Sequence, residues 1–432
     1  MSLARRWFDP IRSRWQLKRR VRLHRHRLSS SRGPLTVYLR LDDAYSYLTV
    51  QLLLHLEEQL IDRYKPLRVV ICTQSPAIYP HDLTTDAWLR YTLADAAVLA
   101  KQHRFIFQPH SHPPDAALML RALDILRLTA LIGRPYLQLL QNVFHMLWQR
   151  QTGKLDTLHQ MAMRRKNLLS RPTDGRIRDQ VLLAADIEFD HKHYRAIDDL
   201  LRLTRHLKRA AVLKEEPVFL INHIEWQEHL VSDPVNLANI QARHADLHVY
   251  LALEDPLSWL ILSYLQRDMA GYYNVQLHVH PLPYQHKDEF DWAQAARLSR
   301  RVDVPFGPFC RPDAAAVAVM SMLLYATPPA QRVDQLLSLL RGVWTQGLDV
   351  TFAPHLNRLG LSLPTDISTE SQQWLLDHAQ ACGRLQRPEL PTMVLTIGSR
   401  THAFCGIYRV WQVETLLAES LLIDTSEMPV QP

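Results

Sequence analysis

The feature that most constrains this chain is a twelve-residue stretch that it carries twice. VYLRLDDAYSYL spans residues 37–48 and VYLALEDPLSWL spans 249–260; seven of the twelve positions are identical, Asp43/Asp255 and Ser46/Ser258 among them. Each copy reads as a β-branched and aromatic strand that breaks at an acidic pair and runs directly into a helix. Such a corner occurs once per α/β unit, so two copies predict two units in tandem. The length agrees, since 432 residues exceed what one hydrophobic core usually organises.

The repetition continues in order beyond the corner. LTVYLRL (35–41), a helix over about 44–62 and LRVVICT (67–73) are matched by LHVYLAL (247–253), a helix over 256 to about 270 and VQLHVHPL (275–282). Strand, helix and strand with short joins predict a βαβ unit with parallel strands and a right-handed crossover. Both halves then turn helical for over a hundred residues. WLRYTLADAAVLAKQH (88–103) corresponds to FDWAQAARLSRRV (290–302), and a Pro-Asp-Ala-Ala start opens HPPDAALMLRAL (112–123) and CRPDAAAVAVMSML (310–323). FHMLWQRQTGKLD (144–156) and LRGVWTQGLDV (340–350) share a Trp, a Gly and an Asp. A proline then precedes an apolar run in EPVFLIN (216–222) and LPTMVLTIG (390–398), each with a closing helix, near 225–232 and 410–420. Residues 160–190 are expected to hold an extra loop or helix, and 233–244 the linker. The division expected is a basic arm over 1–33 and domains over 34–233 and 245–425.

Composition removes several function classes. With 47% hydrophobic and 22% charged residues the chain is of globular type, and its 12 glycines include neither G-x-G-x-x-G nor G-x-x-x-x-G-K-[ST]. Four cysteines (Cys72, Cys310, Cys382, Cys405) form no C-x-x-C and no zinc spacing. No apolar run is long enough for a membrane span. His110, His112, His278, His280 and His286 invite a metal reading, but no third ligand stands at a persuasive spacing, so no metal is expected.

The net charge of +7 is unevenly placed. Residues 1–33 hold 11 Lys/Arg and one acid, a local +10, which leaves 39 basic and 42 acidic residues, −3, for the rest. Asp9-Pro10 is a good helix start, and Trp7, Ile11 and Trp15 then share a face among the arginines of residues 5–27. This arm is read either as a solvated tail or as a contact for an anionic membrane surface or a protein partner. Nucleic acid is not expected, because the positive charge does not extend over the body. RRWF lacks the apolar core of an export signal, so a cytoplasmic bacterial protein is expected, with mitochondrial import the alternative for a eukaryotic one.

DAYSYL and DPLSWL resemble the S-P-Y-[SA]-[WY]-L corner of kappa-class glutathione transferases and 2-hydroxychromene-2-carboxylate isomerases. QAARLSRRVDVPF (294–306) resembles the same family's D-x-x-R-x-A…G-[VI]-P segment, keeping Arg297 and Pro305; the first half keeps Asp95 but has Val98 at the arginine's place. Trp148, Trp344, Pro217 and Pro391 fit the later landmarks. The resemblance covers roughly 35–232 and 246–424. It implies two tandem thioredoxin-like (DsbA-type) α/β domains, each with a large helical insertion, and glutathione or another small thiol or aromatic compound as ligand. It also implies cis peptides at Pro217 and Pro391, with the flanking Val218 and Thr392, and Ser46 and Ser258, in contact with the ligand.

The chain departs from the family at the corner itself. A cysteine at a helix N-terminus is a nucleophile of lowered pKa, and a serine there donates a proton to a bound thiolate. Asp43 and Asp255 stand at that position instead. An ionised carboxylate has no proton to give and repels a thiolate at 4 Å by roughly 4 kcal/mol at an effective dielectric of 20. The helix N-terminus is expected to keep each Asp ionised. Two roles are open: a helix cap, which Pro256 in the next position favours, or a general base in the cleft. Neither is a redox centre. The sequence therefore predicts either a glutathione-dependent isomerase or transferase with altered residues, or a non-catalytic binding or scaffold protein. Tyr47 and Trp259 are expected between helix and sheet.

Overall fold

The computed structural model describes residues 35–65, 67–72, 85–108, 112–129, 131–164, 185–195, 197–214, 244–270, 274–285, 292–364, 368–387 and 389–422. The basic arm, Pro217, Val218 and all of the proposed linker but His244 lie outside these residues. The chain divides into two compact units, one within Leu28–Ile224 and one within Glu225–Pro432.

In the first unit, β1 (Thr36–Arg40) leads into α1 (Ala44–Gln59) and β2 (Arg68–Cys72). Helices α2 (Thr85–His103), α3 (Ala116–Arg127), α4 (Arg134–Trp148) and α5 (Thr152–Arg164) follow. The unit closes with β3 (Asp186–Phe189), β4 (Lys192–Arg195) and α6 (Leu200–Arg209). The sheet order is β2-β1-β3-β4, with β1 parallel to β2 and antiparallel to β3.

The second unit has β5 (Ala245–Ala252), α7 (Pro256–Tyr264), which continues as a π-turn over Leu265–Met269, and β6 (Val275–Leu282). Then come α8 (Trp292–Arg301), α9 (Ala314–Ala326), α10 (Arg332–Gln346), α11 (Ala353–Asn357) and α12 (Thr369–Arg384). It ends in β7 (Thr392–Ile397), β8 (Arg400–Cys405) and α13 (Val410–Leu422). The order β6-β5-β7-β8 and the strand directions are those of the first sheet.

The period of two along β5 and β6 sorts their side chains. Leu247, Val249, Leu251, Val275, Leu277 and Val279 are buried and share one face. Asp246, His248, Tyr250, His278 and His280 share the other, which α12 packs on through β6. In the first unit α1 packs on α4, where Tyr47 stacks on Trp148 at 5.9 Å and 3° and bonds His145 Nδ1 at 3.1 Å. Trp259 Nε1 donates to the Pro305 carbonyl at 2.9 Å. Both aromatics therefore meet the inserted segments, where an indole or phenol finds a polar partner.

Among the described residues of the first unit the third strand is Asp186–Phe189 and the last helix is Leu200–Arg209; the strand expected over 216–222 and the helix expected near 225–232 lie outside the described residues. The end of the stretch 160–190, expected to hold an extra loop or helix, enters a hairpin over 186–195. Asp190 (φ 52) and His191 (φ 58) form its two-residue turn, the positive pair that matches the twist of the strands.

Candidate functional site

Both corners are built as helix caps. In the first, Asp43 has extended backbone (φ −103, ψ 121), and its Oδ2 accepts from the Ser46 amide at 2.8 Å and the Ser46 hydroxyl at 2.7 Å. Ser46 Oγ in turn accepts from the Arg40 amide at 3.0 Å, and the Arg40 guanidinium forks onto Asp42 at 3.0 and 2.7 Å. The corner is a closed circuit: Ser46 is fully buried with its donor and an acceptor site both used. Ser46 therefore does not present a free hydroxyl to a ligand. Burial pushes the Asp43 carboxyl up, against the opposing pull of its Ser46 bonds and of Arg40. The expectation that the helix end keeps its pKa from rising is corrected: at 9% exposure, loss of water outweighs the partial charge of the helix terminus.

The second corner is built differently. Asp255 (φ −95, ψ 119) caps α7 by accepting from the Leu257 amide at 2.9 Å, with Pro256 at the first helical position. Ser258 gives its amide to the Asp255 carbonyl at 3.0 Å, while its Oγ is buried with no hydrogen-bond partner. Glu254 alongside is fully buried and accepts from the Gln285 amide at 2.7 Å. As Asp43 and Asp255 are 9% and 5% exposed and each is engaged at a helix end, the cap is the role their geometry serves.

The Leu390–Pro391 peptide is cis. Because Tyr250 pairs with Thr392, Pro391 falls opposite Leu251, where β5 ends and the Asp255 corner begins. Pro391 O is taken by the Gly406 amide at 2.9 Å; no backbone hydrogen bond joins the half-buried Leu390 to another described residue. Thr392 is fully buried and donates its hydroxyl to the Glu389 carbonyl at 3.1 Å, so its side chain faces no solvent. In the first unit Tyr38 pairs with Asp186, so the matching position is Ala185. Pro217, which the resemblance places there, lies outside the described residues.

Two polar constellations were not singled out in the sequence as they occur here. Tyr45 donates to Asp95 at 2.6 Å, both buried, which joins the first corner to α2. On the second sheet His248 Nδ1 and His280 Nε2 are 2.9 Å apart, and His278 Nε2 meets Asp246 Oδ1 at 2.8 Å. The alternation of His278 and His280 was visible; their pairing with His248 and Tyr250 needs the strand register, which no sequence spacing states. Among the described residues no group of three or more His, Cys, Asp or Glu is placed to hold a metal. The cysteines are all free thiols, and no helix among the described residues is long and apolar enough to cross a membrane.

No protein-family model and no curated protein sequence matches the chain. Solved structures do. The cytosolic disulfide reductase DsbM from Pseudomonas aeruginosa is 15% identical over 42% of this chain and 98% of its own, at a TM-score of 0.32. A 2-hydroxychromene-2-carboxylate isomerase is 14% identical over 43% of this chain and 100% of its own, at 0.33. A periplasmic thioredoxin-like protein from Salmonella enterica serovar Typhimurium is 13% identical over 44% and 98%, at 0.28. Each of these three covers less than half of this chain and nearly all of its own.

Proposed function

We propose that the chain is a tandem thioredoxin-like binding protein without thiol–disulfide exchange, and that its second unit takes a small thiol or peptide-like ligand such as glutathione. The observation that carries this reading is that an aspartate occupies both corners and is used there as a helix cap, where exchange chemistry needs a cysteine. The second unit is favoured on two counts. It has Leu390, which no backbone hydrogen bond joins to another described residue, and the Ser258 hydroxyl, buried without a hydrogen-bond partner. The amide and carbonyl of Leu390 suit the backbone of an extended peptide, while Asp255 disfavours an ionised thiol. The bound thiol is therefore held protonated, which is binding without activation.

Calorimetric titration of glutathione into the full chain tests this. Wild type and Asp43→Ser are expected to bind one equivalent alike, whereas Asp255→Ser binds more tightly and raises the thiolate absorbance of the complex. Absence of heat in wild type and in Asp255→Ser would remove the ligand site. Turnover of insulin disulfides by wild type would remove the claim that exchange is lost.

A further inference from the structure

Four imidazoles run in a row through the second unit. The His278 and His248 rings stack at 4.6 Å, His248 and His280 at 5.1 Å, and His280 meets His378 edge-on at 4.7 Å. The first three belong to β5 and β6, and the fourth to α12. Tyr250 stacks on His280 at 4.6 Å, and Trp374 of α12 closes the far end against His378 at 4.4 Å. The row is therefore one of the surfaces that α12 rests on, through His378 and Trp374. We propose that it is a proton-sensitive latch, which holds α12 on the sheet at neutral pH and releases it in acid.

The hydrogen bonding states why His248, His280 and His378 must be neutral. His248 Nδ1 and His280 Nε2 face each other at 2.9 Å, so one donates and the other offers a lone pair; two protons cannot share that gap. His378 Nδ1 is placed to donate to the Pro281 carbonyl at 3.1 Å. His280 Nδ1 is buried without a partner, so a protonated His280 would leave a charged N–H unsatisfied.

The surroundings do not compensate. From β5, Asp246 is already engaged by His278 at 2.8 Å and His244 at 3.4 Å. From α10, Arg332 lies 5.1 Å from the Trp374 ring and opposes protonation of both His280 and His378. From α12, Asp377 favours a charged His378 but is exposed and bonded by Gln373 at 2.9 Å. Cys382 and Tyr250 are both pushed up by burial and stay neutral. Helix α9, which also packs on α12, carries no charged side chain. Burial accordingly lowers His248, His280 and His378, with His280 driven down to about 3.

The sign follows. These groups hold fewer protons with α12 docked than with α12 released, so docking is favoured above the ordinary histidine range and lost as pH falls through it. His280 alone raises the release constant about tenfold per pH unit below about 6, and each further histidine kept neutral adds to the slope. Helix α12 ends at Arg384, a few residues before the cis-Pro391. If the second corner is the ligand site, its affinity falls with the same transition; that clause alone rests on the binding reading.

Hydrogen exchange on the full chain, without ligand and corrected for intrinsic rates, tests the latch. Between pH 7.5 and 5.5 the protection of Thr369–Arg384 is expected to fall at least tenfold, while that of Arg134–Trp148 in the first unit does not. His280→Phe with His378→Phe should keep protection at pH 5.5. Unchanged protection in wild type, or an equal fall in the double variant, would overturn the proposal. Should the double variant not fold, proton NMR titration of wild type decides: signals of His280 and His378 that titrate near 6.5 with α12 still protected would overturn it equally. Glutathione affinity, read separately, leaves this outcome untouched.

Discussion

Asp43 carries two demands that conflict. Its carboxylate satisfies the Ser46 amide and hydroxyl at the start of α1, and the same burial that makes those bonds short strips the charge of water. Asp43→Ala removes both bonds and leaves the Ser46 hydroxyl without its acceptor, so a loss of about 1–2 kcal/mol is expected. Asp43→Asn keeps an acceptor and discards the charge. Because the folded carboxyl is raised, its proton-linked stability is fully present below the unfolded value and is lost as pH rises through the folded one. Wild type thus bears the whole desolvation cost at pH 7, and Asp43→Asn should gain on it there relative to pH 4. Urea denaturation of both proteins at the two pH values measures this, and an equal difference at both would refute the buried charge. The cap itself was legible, since Asp-x-x-Ser ahead of an apolar run names one. The burial was not: DDAYSYL does not say that Ser46 turns back to the Arg40 amide and shuts the corner.

Among the elements, the hairpin of the first unit shows where local signals mislead. Strands β1, β2, β5 and β6 stand out as apolar β-branched runs, and all four formed in the order expected. DIEFDHKHYR alternates just as strictly, with Ile187, Phe189 and Tyr194 buried, but two acids in four residues hide it beside the more apolar PVFLIN. Its turn uses no glycine. Asp190 tolerates the left-handed region through its short polar side chain, whereas His191 at φ 58 has no such help and is exposed. His191→Gly should therefore stabilise the first unit by up to about 1 kcal/mol, after the entropy that glycine costs the folded state is subtracted. That corresponds to a rise in Tm of up to about 3 °C in a scanning calorimeter. A fall in Tm would mean that the histidine makes a contact outweighing its backbone conformation. The second hairpin needs no such repair, because Gly398 already stands at its positive φ of 59.

For the molecule as a whole, the charge of +7 belongs to no part of it. An arm of +10 precedes a body of −3, so attraction to an anionic surface, if present, resides in the first 33 residues and is opposed by the rest. Near an anionic membrane each basic residue contributes about 1 kcal/mol, ample for the arm to bind, yet the effect fades within a Debye length that shrinks from about 10 Å at 0.1 M salt to about 3 Å at 1 M. Deletion of residues 1–33 should therefore abolish co-sedimentation with phosphatidylserine vesicles at low salt and reverse the protein's behaviour on a cation exchanger. Binding by the full chain that survives molar salt would instead require the apolar face of Trp7, Ile11 and Trp15 to insert. Replacing the two tryptophans with serine while keeping every arginine separates the alternatives: a charge-only contact keeps its low-salt affinity, and an inserted helix loses it.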